Sequence, residues 1–195
     1  MPVTYTNRKG FTYTLCRGTT KAGKPRYIFA RDPGGKPIVE EVPAGYKISE
    51  SINGVVSLVK DRPSLLLPAE IAAVEEAVRR HPKARNYRIN ARRDRIEIYE
   101  IAGPDPDALV ADLQGLGAFM PGWENELREH LYDSAQFTPV LRFILEDEKA
   151  RTYRAERWCY SGSIDNWLFI TTGPAEQLAR RMVPTLGTDA FFELF

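Results

Sequence analysis

The sequence predicts an α+β fold, an N-terminal antiparallel β meander followed by an α+β region of hairpins and helices. Three observations carry this. Over Val3 to Lys60, turn signals recur every few residues between short runs rich in Tyr, Thr, Val, Ile and Phe, which is the spacing of strands joined by tight connections. From Pro68 the apolar period becomes helical, with Ile71, Val74 and Val78 on one face and Glu75 and Glu76 turned away. Arg151 to Ile170, RTYRAERWCYSGSIDNWLFI, sets two strand-like runs around a Ser-Gly-Ser-Ile-Asp turn and holds two of the three tryptophans. Such residues favour a pleated, half-buried surface, so the remaining elements are expected to gather around this hairpin.

In chain order, the turns of the meander fall at Arg8-Lys9-Gly10, Lys21 to Pro25, Asp32 to Gly35, Pro43-Ala44-Gly45 and Ile52-Asn53-Gly54, which leaves room for roughly six short strands. Alternation places Phe11, Tyr13 and Leu15 on one face and Thr12, Thr14 and Cys16 on the other. Asp61-Arg62-Pro63-Ser64 reads as a boundary, giving a basic β-meander module over 1–62 and an α+β domain over 65–195. The helix opened by Pro68 should stop near His81-Pro82, because proline disfavours a helical residue before it. Asn86 to Ile101 predicts a second hairpin, with Ile96 and Ile98 opposite in facing to Glu97 and Tyr99.

Asp105-Pro106 offers a capping carboxylate followed by proline at the first helical position, with Leu109, Leu113 and Leu116 as the apolar stripe and Gly117 as the stop. Trp123, Leu127 and Leu131 predict another helix, and Phe137 to Leu145 another strand. After the Trp-bearing hairpin, Gly173-Pro174 opens a helix with Leu178, Ala179 and Met182 inward. Thr188-Asp189 caps a last short helix whose Phe191, Phe192, Leu194 and Phe195 are too apolar to be left in water. Both hairpins of the second region are followed by Gly-Pro and a helix, and each has a helix ahead of it. This pattern suggests a duplicated helix-hairpin-helix unit.

Length and composition set the bounds. With 195 residues, 43% hydrophobic and 27% charged, the chain can bury a core and is outside the disordered class. No apolar run approaches the roughly 20 residues a membrane span needs, and MPVTYTNRKG lacks the apolar core of a signal peptide, so the expected compartment is the cytoplasm. Cys16 and Cys159 make no disulfide framework and are expected to be reduced thiols.

The net charge of +1 conceals a segregation. Residues 1–62 carry 11 Lys/Arg against 5 Asp/Glu, a balance of +6, and the remainder carries −5. Arg79 to Arg95 holds eight basic residues and one acid, whereas Pro104 to Glu148 holds two basic residues and ten acids. These blocks can answer each other within the fold or across a subunit contact.

Several local patterns bear on chemistry. Gly18 to Pro25, GTTKAGKP, matches a phosphate-binding loop up to its last position. There Pro25 supplies no hydroxyl for a magnesium ion, and Arg26 to Ala30 reads as a strand instead of the required helix. The better description is a basic hairpin tip, with Arg17, Lys21, Lys24 and Arg26 close together and Arg8 and Lys9 in the preceding turn. Cationic loops over a sheet bearing Tyr13 and Tyr27 fit a single-stranded nucleic acid, charge for phosphates and rings for bases. Arg92 and Arg93 join this set of polyanion-binding candidates; the competing reading is solvated turns over an ordinary aromatic core. His81 and His130 lack metal-ligand spacing, and Ser161-Gly162-Ser163 lacks the glycines of a nucleophile elbow. Asp165 beside Trp167 is expected only to bond turn amides. No catalytic residue, cofactor or metal site is therefore expected.

The runs Asn7 to Tyr13, Thr20 to Phe29, Gly45 to Gly54 and Arg157 to Trp167 together resemble a group of uncharacterised bacterial proteins with no assigned function. The resemblance implies a bacterial, single-chain protein and carries over no functional residue. Three functional expectations follow from the residues. The first is a non-catalytic binding protein that contacts nucleic acid or another polyanion through a basic β face. The second is a protein-interaction or regulatory module, homodimeric if the two charge blocks meet between copies. The third is an enzyme whose machinery no motif reveals.

Overall fold

Apolar alternation and glycine turns build the first of the chain's two units, Met1–Arg62, and helical periodicity enters only in the second, Pro63–Phe195. The computed structural model describes residues 1–116, 122–159 and 165–193. They form a mixed α+β structure with ten strands, all paired antiparallel, and five α-helices.

In the first unit β1 (Thr4–Thr6), β2 (Thr12–Thr19) and β3 (Pro25–Ala30) form one sheet in that order, and β4 (Tyr46–Glu50) pairs with β5 (Val56–Lys60) in another. The single meander expected from the turn spacing is thus split into two sheets. The cause lies in the connection after β3, which turns at Gly34 and Gly35 in left-handed backbone, φ 55° and 76°, where a side chain would be strained. It then returns to the edge of β2: Val39 N–H donates to the Leu15 carbonyl at 2.9 Å, and Ile38 forms an isolated bridge with Cys16. Only this bridge stands where a sixth strand was expected. Leu15 and Cys16, on opposite faces of β2, are both fully buried.

Asn7 ties the turns together. Its Oδ1 accepts from the Lys9 and Phe11 amides at 3.1 and 2.9 Å, and its Nδ2 donates to the Gly54 carbonyl at 2.7 Å. Gly54 has φ 80°, and a Cβ there would lie 3.0 Å from Asn7 Nδ2, so both backbone conformation and space require glycine.

The second unit runs α1 (Pro68–Arg79), β6 (Tyr87–Ala91), β7 (Arg95–Ile101), α2 (Pro106–Gly115), α3 (Trp123–Ser134), β8 (Phe137–Asp147), β9 (Thr152–Cys159), β10 (Asn166–Gly173), α4 (Ala175–Met182) and α5 (Asp189–Phe192). Its five strands lie in the order β10-β9-β8-β7-β6. Val74 and Val78 of α1 and Leu178, Ala179 and Met182 of α4 enter one core with Ile96, Ile98, Leu141, Phe143, Tyr153 and Ala155 of the sheet. The opposite parity carries a row that is polar over four strands, with Asn90, Glu97, Arg142 and Glu156 cross-strand partners in turn, and ends on the exposed Phe169 of β10.

Two helix faces differ from the leucine spacing. In α2 the buried positions are Pro106 and Val110 while Leu116 is 79% exposed, and in α3 Tyr132 is buried while Trp123 is 62% exposed. Asp105 caps α2 as expected, accepting from the Asp107 amide at 3.0 Å. The helix therefore begins at Pro106, and Val110, one turn on, is the side chain that its inner face buries. Tyr132 wins in α3 because its hydroxyl finds partners on other elements, donating to Asp107 at 2.9 Å with Asn86 Oδ1 3.2 Å away. The Gly117 stop lies outside the described residues.

A polar clasp holds the β8–β9 turn to the start of α1. The Glu70 carboxylate accepts from the Leu67 amide and from Arg151 Nε, each at 2.8 Å, and from the Tyr153 hydroxyl at 2.5 Å. Arg151 adopts left-handed backbone, φ 52°, a cost that these bonds offset. At the far edge of the sheet, Trp158 and Trp167 face each other across β9 and β10 with ring centroids 5.2 Å apart, and the Arg142 guanidinium lies 4.0 Å over the Trp167 ring. Ser161 to Ile164 of the turn between them lies outside the described residues, and Asp165 is exposed. Phe191 is buried and its carbonyl accepts from Arg157, whereas Phe192 is exposed; Leu194 and Phe195 lie outside the described residues. Among the described residues, no helix is long and apolar enough to cross a membrane.

Candidate functional site

Strand register decides which of the basic candidates in the first unit stand together. Arg17 pairs with Tyr27, Gly18 with Arg26 and Thr19 with Pro25, so four cations share the last turns of one hairpin. The tip is closed by Thr20, whose amide donates to the Lys24 carbonyl at 2.8 Å and whose Oγ1 accepts from the Lys24 amide at 3.1 Å. Gly23 supplies left-handed backbone there, φ 75°. Arg17, Lys21, Lys24 and Arg26 are all exposed and, among the described residues, none of them forms an ion pair. Pro25 to Ala30 is a strand, so the glycine-lysine pair ahead of it has no helix N-terminus to offer a phosphate.

Arg17 and Tyr27 lie side by side on one face of the sheet, while Arg26 points to the other. Tyr13 shares the face of Tyr27 but is already engaged: Arg31 stands over the Phe11 ring at 3.6 Å and donates to the Tyr13 hydroxyl at 3.4 Å. Arg8 and Lys9 are at the other end of β2. Eight residues of strand separate them from the tip, roughly 25 Å. Arg8 also lies 3.8 Å from Glu50, which accepts the Tyr5 hydroxyl at 2.9 Å.

The basic run of the second unit is in a different state. Arg80 pairs with Glu76 at 2.5 Å, Lys83 with Asp105 at 2.8 Å, Arg85 with Glu129 at 2.8 Å, Arg92 with Glu97 at 2.9 Å and Arg95 with Glu97 at 3.1 Å. Arg79 also pairs with Glu76, and Arg88 donates to the carbonyls of Arg85 and Tyr87. Of this run Arg93, among the described residues, has no side-chain partner. Asp105 and Glu129 belong to the acidic block, so the two blocks meet within one chain.

A cleft of about 450 Å³ in the second unit joins residues that no local pattern brings together, from the end of α1 to the segment before α5. His81 Nδ1 accepts from the Lys83 amide at 3.1 Å and Nε2 lies 3.2 Å from the Leu186 carbonyl. With Nδ1 accepting, Nε2 is the nitrogen left to donate to that carbonyl. Tyr87 stands edge-on to His81 and donates to Glu100 Oε1 at 2.9 Å. Burial, and then the Glu100 charge, raise the Tyr87 hydroxyl well above its ordinary pKa. Burial and then the Asp107 bond push Tyr132, behind the cleft, up to about 12. The Asp105 bond raises Lys83; for Asp105, burial acts upward, but the bonds from Lys83 and the Asp107 amide outweigh it and hold the carboxyl low.

Sequence reasoning missed this cleft because His81 and Leu186 are 105 residues apart; the one local signal is His81-Pro82, which ends a helix and turns the ring inward. None of Trp158, Trp167 and Asp165 lines it. Among the described residues, no three His, Cys, Asp or Glu side chains gather so as to hold a metal ion. Comparison of the chain with family models, curated proteins and solved structures returns no match.

Proposed function

We propose that the protein is a non-catalytic binding protein that holds single-stranded nucleic acid against the β2–β3 hairpin. The observation that supports this most is the state of Arg17, Lys21, Lys24 and Arg26, exposed side chains on one hairpin without a carboxylate partner. Surface charge gathered without compensation interacts favourably with a polyanion, because phosphates release counterions when lysine and arginine neutralise them. Tyr27 beside Arg17 adds a ring at the place where the charge is concentrated, and a base can stack there whatever its identity. In this reading Tyr13, Arg8 and Lys9 lie away from the contact, and Arg92, bonded to Glu97, serves the fold.

Fluorescence anisotropy with labelled single-stranded and duplex oligonucleotides tests it. The expected result is binding that favours the single strand and weakens as salt rises; the absence of salt-sensitive binding to either form would remove the proposal. We also propose that the region from 65 onward descends from a duplicated helix-hairpin-helix unit, a reading supported by Gly103-Pro104 and Gly173-Pro174 ahead of α2 and α4. Superposition of 68–115 on 123–182 with no shared register for the two hairpins would overturn it.

A further inference from the structure

The cleft of the second unit is built from groups that nucleic-acid binding does not use. Its ionised lining is two carboxylates, Glu100 and Asp105, and one ammonium, Lys83, which leaves one negative charge in excess. Asp105 is occupied by Lys83 and by the Asp107 amide. Glu100 is only half occupied: Oε1 accepts from the Tyr87 hydroxyl, and Oε2 has no hydrogen-bond partner among the described residues. The Tyr87 bond fixes the carboxylate in place. Across from it Gly187 has φ 71°, and a Cβ there would lie 2.8 Å from the Tyr87 hydroxyl, so the backbone approaches the pair as closely as only glycine allows. Pro82, Ile101, Pro184 and Leu186 supply apolar wall.

From this geometry we infer that the cleft binds a small organic cation, a primary ammonium or guanidinium compound with a short apolar body, anchored by Glu100. A charged donor finds in Oε2 an acceptor already oriented, and hydrogen bonds between charged groups are the stronger kind. The apolar wall receives the carbon chain, and a volume near 450 Å³ falls within the range of about 300–1,000 Å³ that small-molecule sites occupy. Lys83 acts against the ligand, since its ammonium competes for the same carboxylates.

The test is an NMR titration of the full chain with n-butylammonium and with methylguanidinium at constant ionic strength, with butyrate as the anionic control. The wild type should show saturable shifts at Tyr87, Glu100 and Gly187 with a dissociation constant on the order of 1 mM, and butyrate should leave them in place. Glu100→Gln should weaken cation binding by about tenfold or more. Lys83→Met should strengthen it several-fold, an opposite sign that neither misfolding nor a general loss of charge reproduces. The inference is overturned if the wild type shows no saturable shift with either cation, if Glu100→Gln binds as the wild type does, or if Lys83→Met weakens binding. Saturable shifts with butyrate would likewise overturn it.

Discussion

In the β2–β3 hairpin four cations stand in solvent with no acid beside them, whereas in Arg79 to Arg95 six of the eight basic residues are paired with carboxylates of their own chain. Sequence charge counting treats the two stretches alike. Their physical roles diverge with partner and burial. Glu97 is 7% exposed and accepts from Arg92, Asn90 and Tyr99, so the charges around it hold a hairpin together. The hairpin tip has nothing of the kind. Removing charge should therefore cost affinity in the first unit and stability in the second.

The largest effect is expected from the tip. Replacing Arg17, Lys21, Lys24 and Arg26 by alanine should reduce single-strand binding to background and leave the thermal midpoint unchanged, as anisotropy and calorimetry on the same preparation would show. A fall in the midpoint would mean that these side chains serve the fold after all. Next comes Glu97→Ala, which strands two arginines around a buried position and should lower stability by about 2 kcal/mol without changing oligonucleotide binding. Denaturant melts measure the first quantity, and an affinity loss would break the contrast between the two regions.

Tyr27→Ala is predicted to weaken single-strand binding about tenfold, the value of one stacked base, while Tyr13→Ala, whose ring is already held by Arg31, should change it little. Equal losses from the two would show that the whole aromatic face is used. The smallest effect is that of pH on the clasp at Glu70. Burial acts to raise this carboxyl, but the bonds from Arg151, Tyr153 and the Leu67 amide outweigh it and hold it below the ordinary value. A depressed carboxyl contributes stability that is present above the unfolded value of about 4.3 and disappears as pH falls through the lower folded value. Glu70→Gln should flatten the acid limb of the stability curve in that window, and an unchanged limb would dismiss the clasp as a source of stability.

Much of the architecture could be read from residue order. Val74 and Val78 announced the buried face of α1, Asp105-Pro106 the start of α2, and Ile96 and Ile98 the inner face of β7, because each signal is local and governed by a fixed period. The failures have the opposite character. Ile38 beside Cys16 depends on where a long connection lands, Tyr132 is chosen over Trp123 by polar partners on α2 and before β6, and Arg92 finds Glu97 only once the hairpin closes. The candidate interface was legible as a charged tip; that Arg8 and Lys9 stand at the other end of β2 required the register. The Glu100 cleft was not legible at all, since its walls come from segments spread over 81–188.

The salt dependence of single-strand binding, compared between the wild type and the fourfold hairpin variant, tests the central claim most directly. Four phosphate contacts at about 0.7 each give a log–log slope near −3, so affinity should fall about fiftyfold between roughly 50 and 200 mM salt, and the variant should show no slope. A wild-type affinity indifferent to salt, or a variant with the same slope as the wild type, would contradict it.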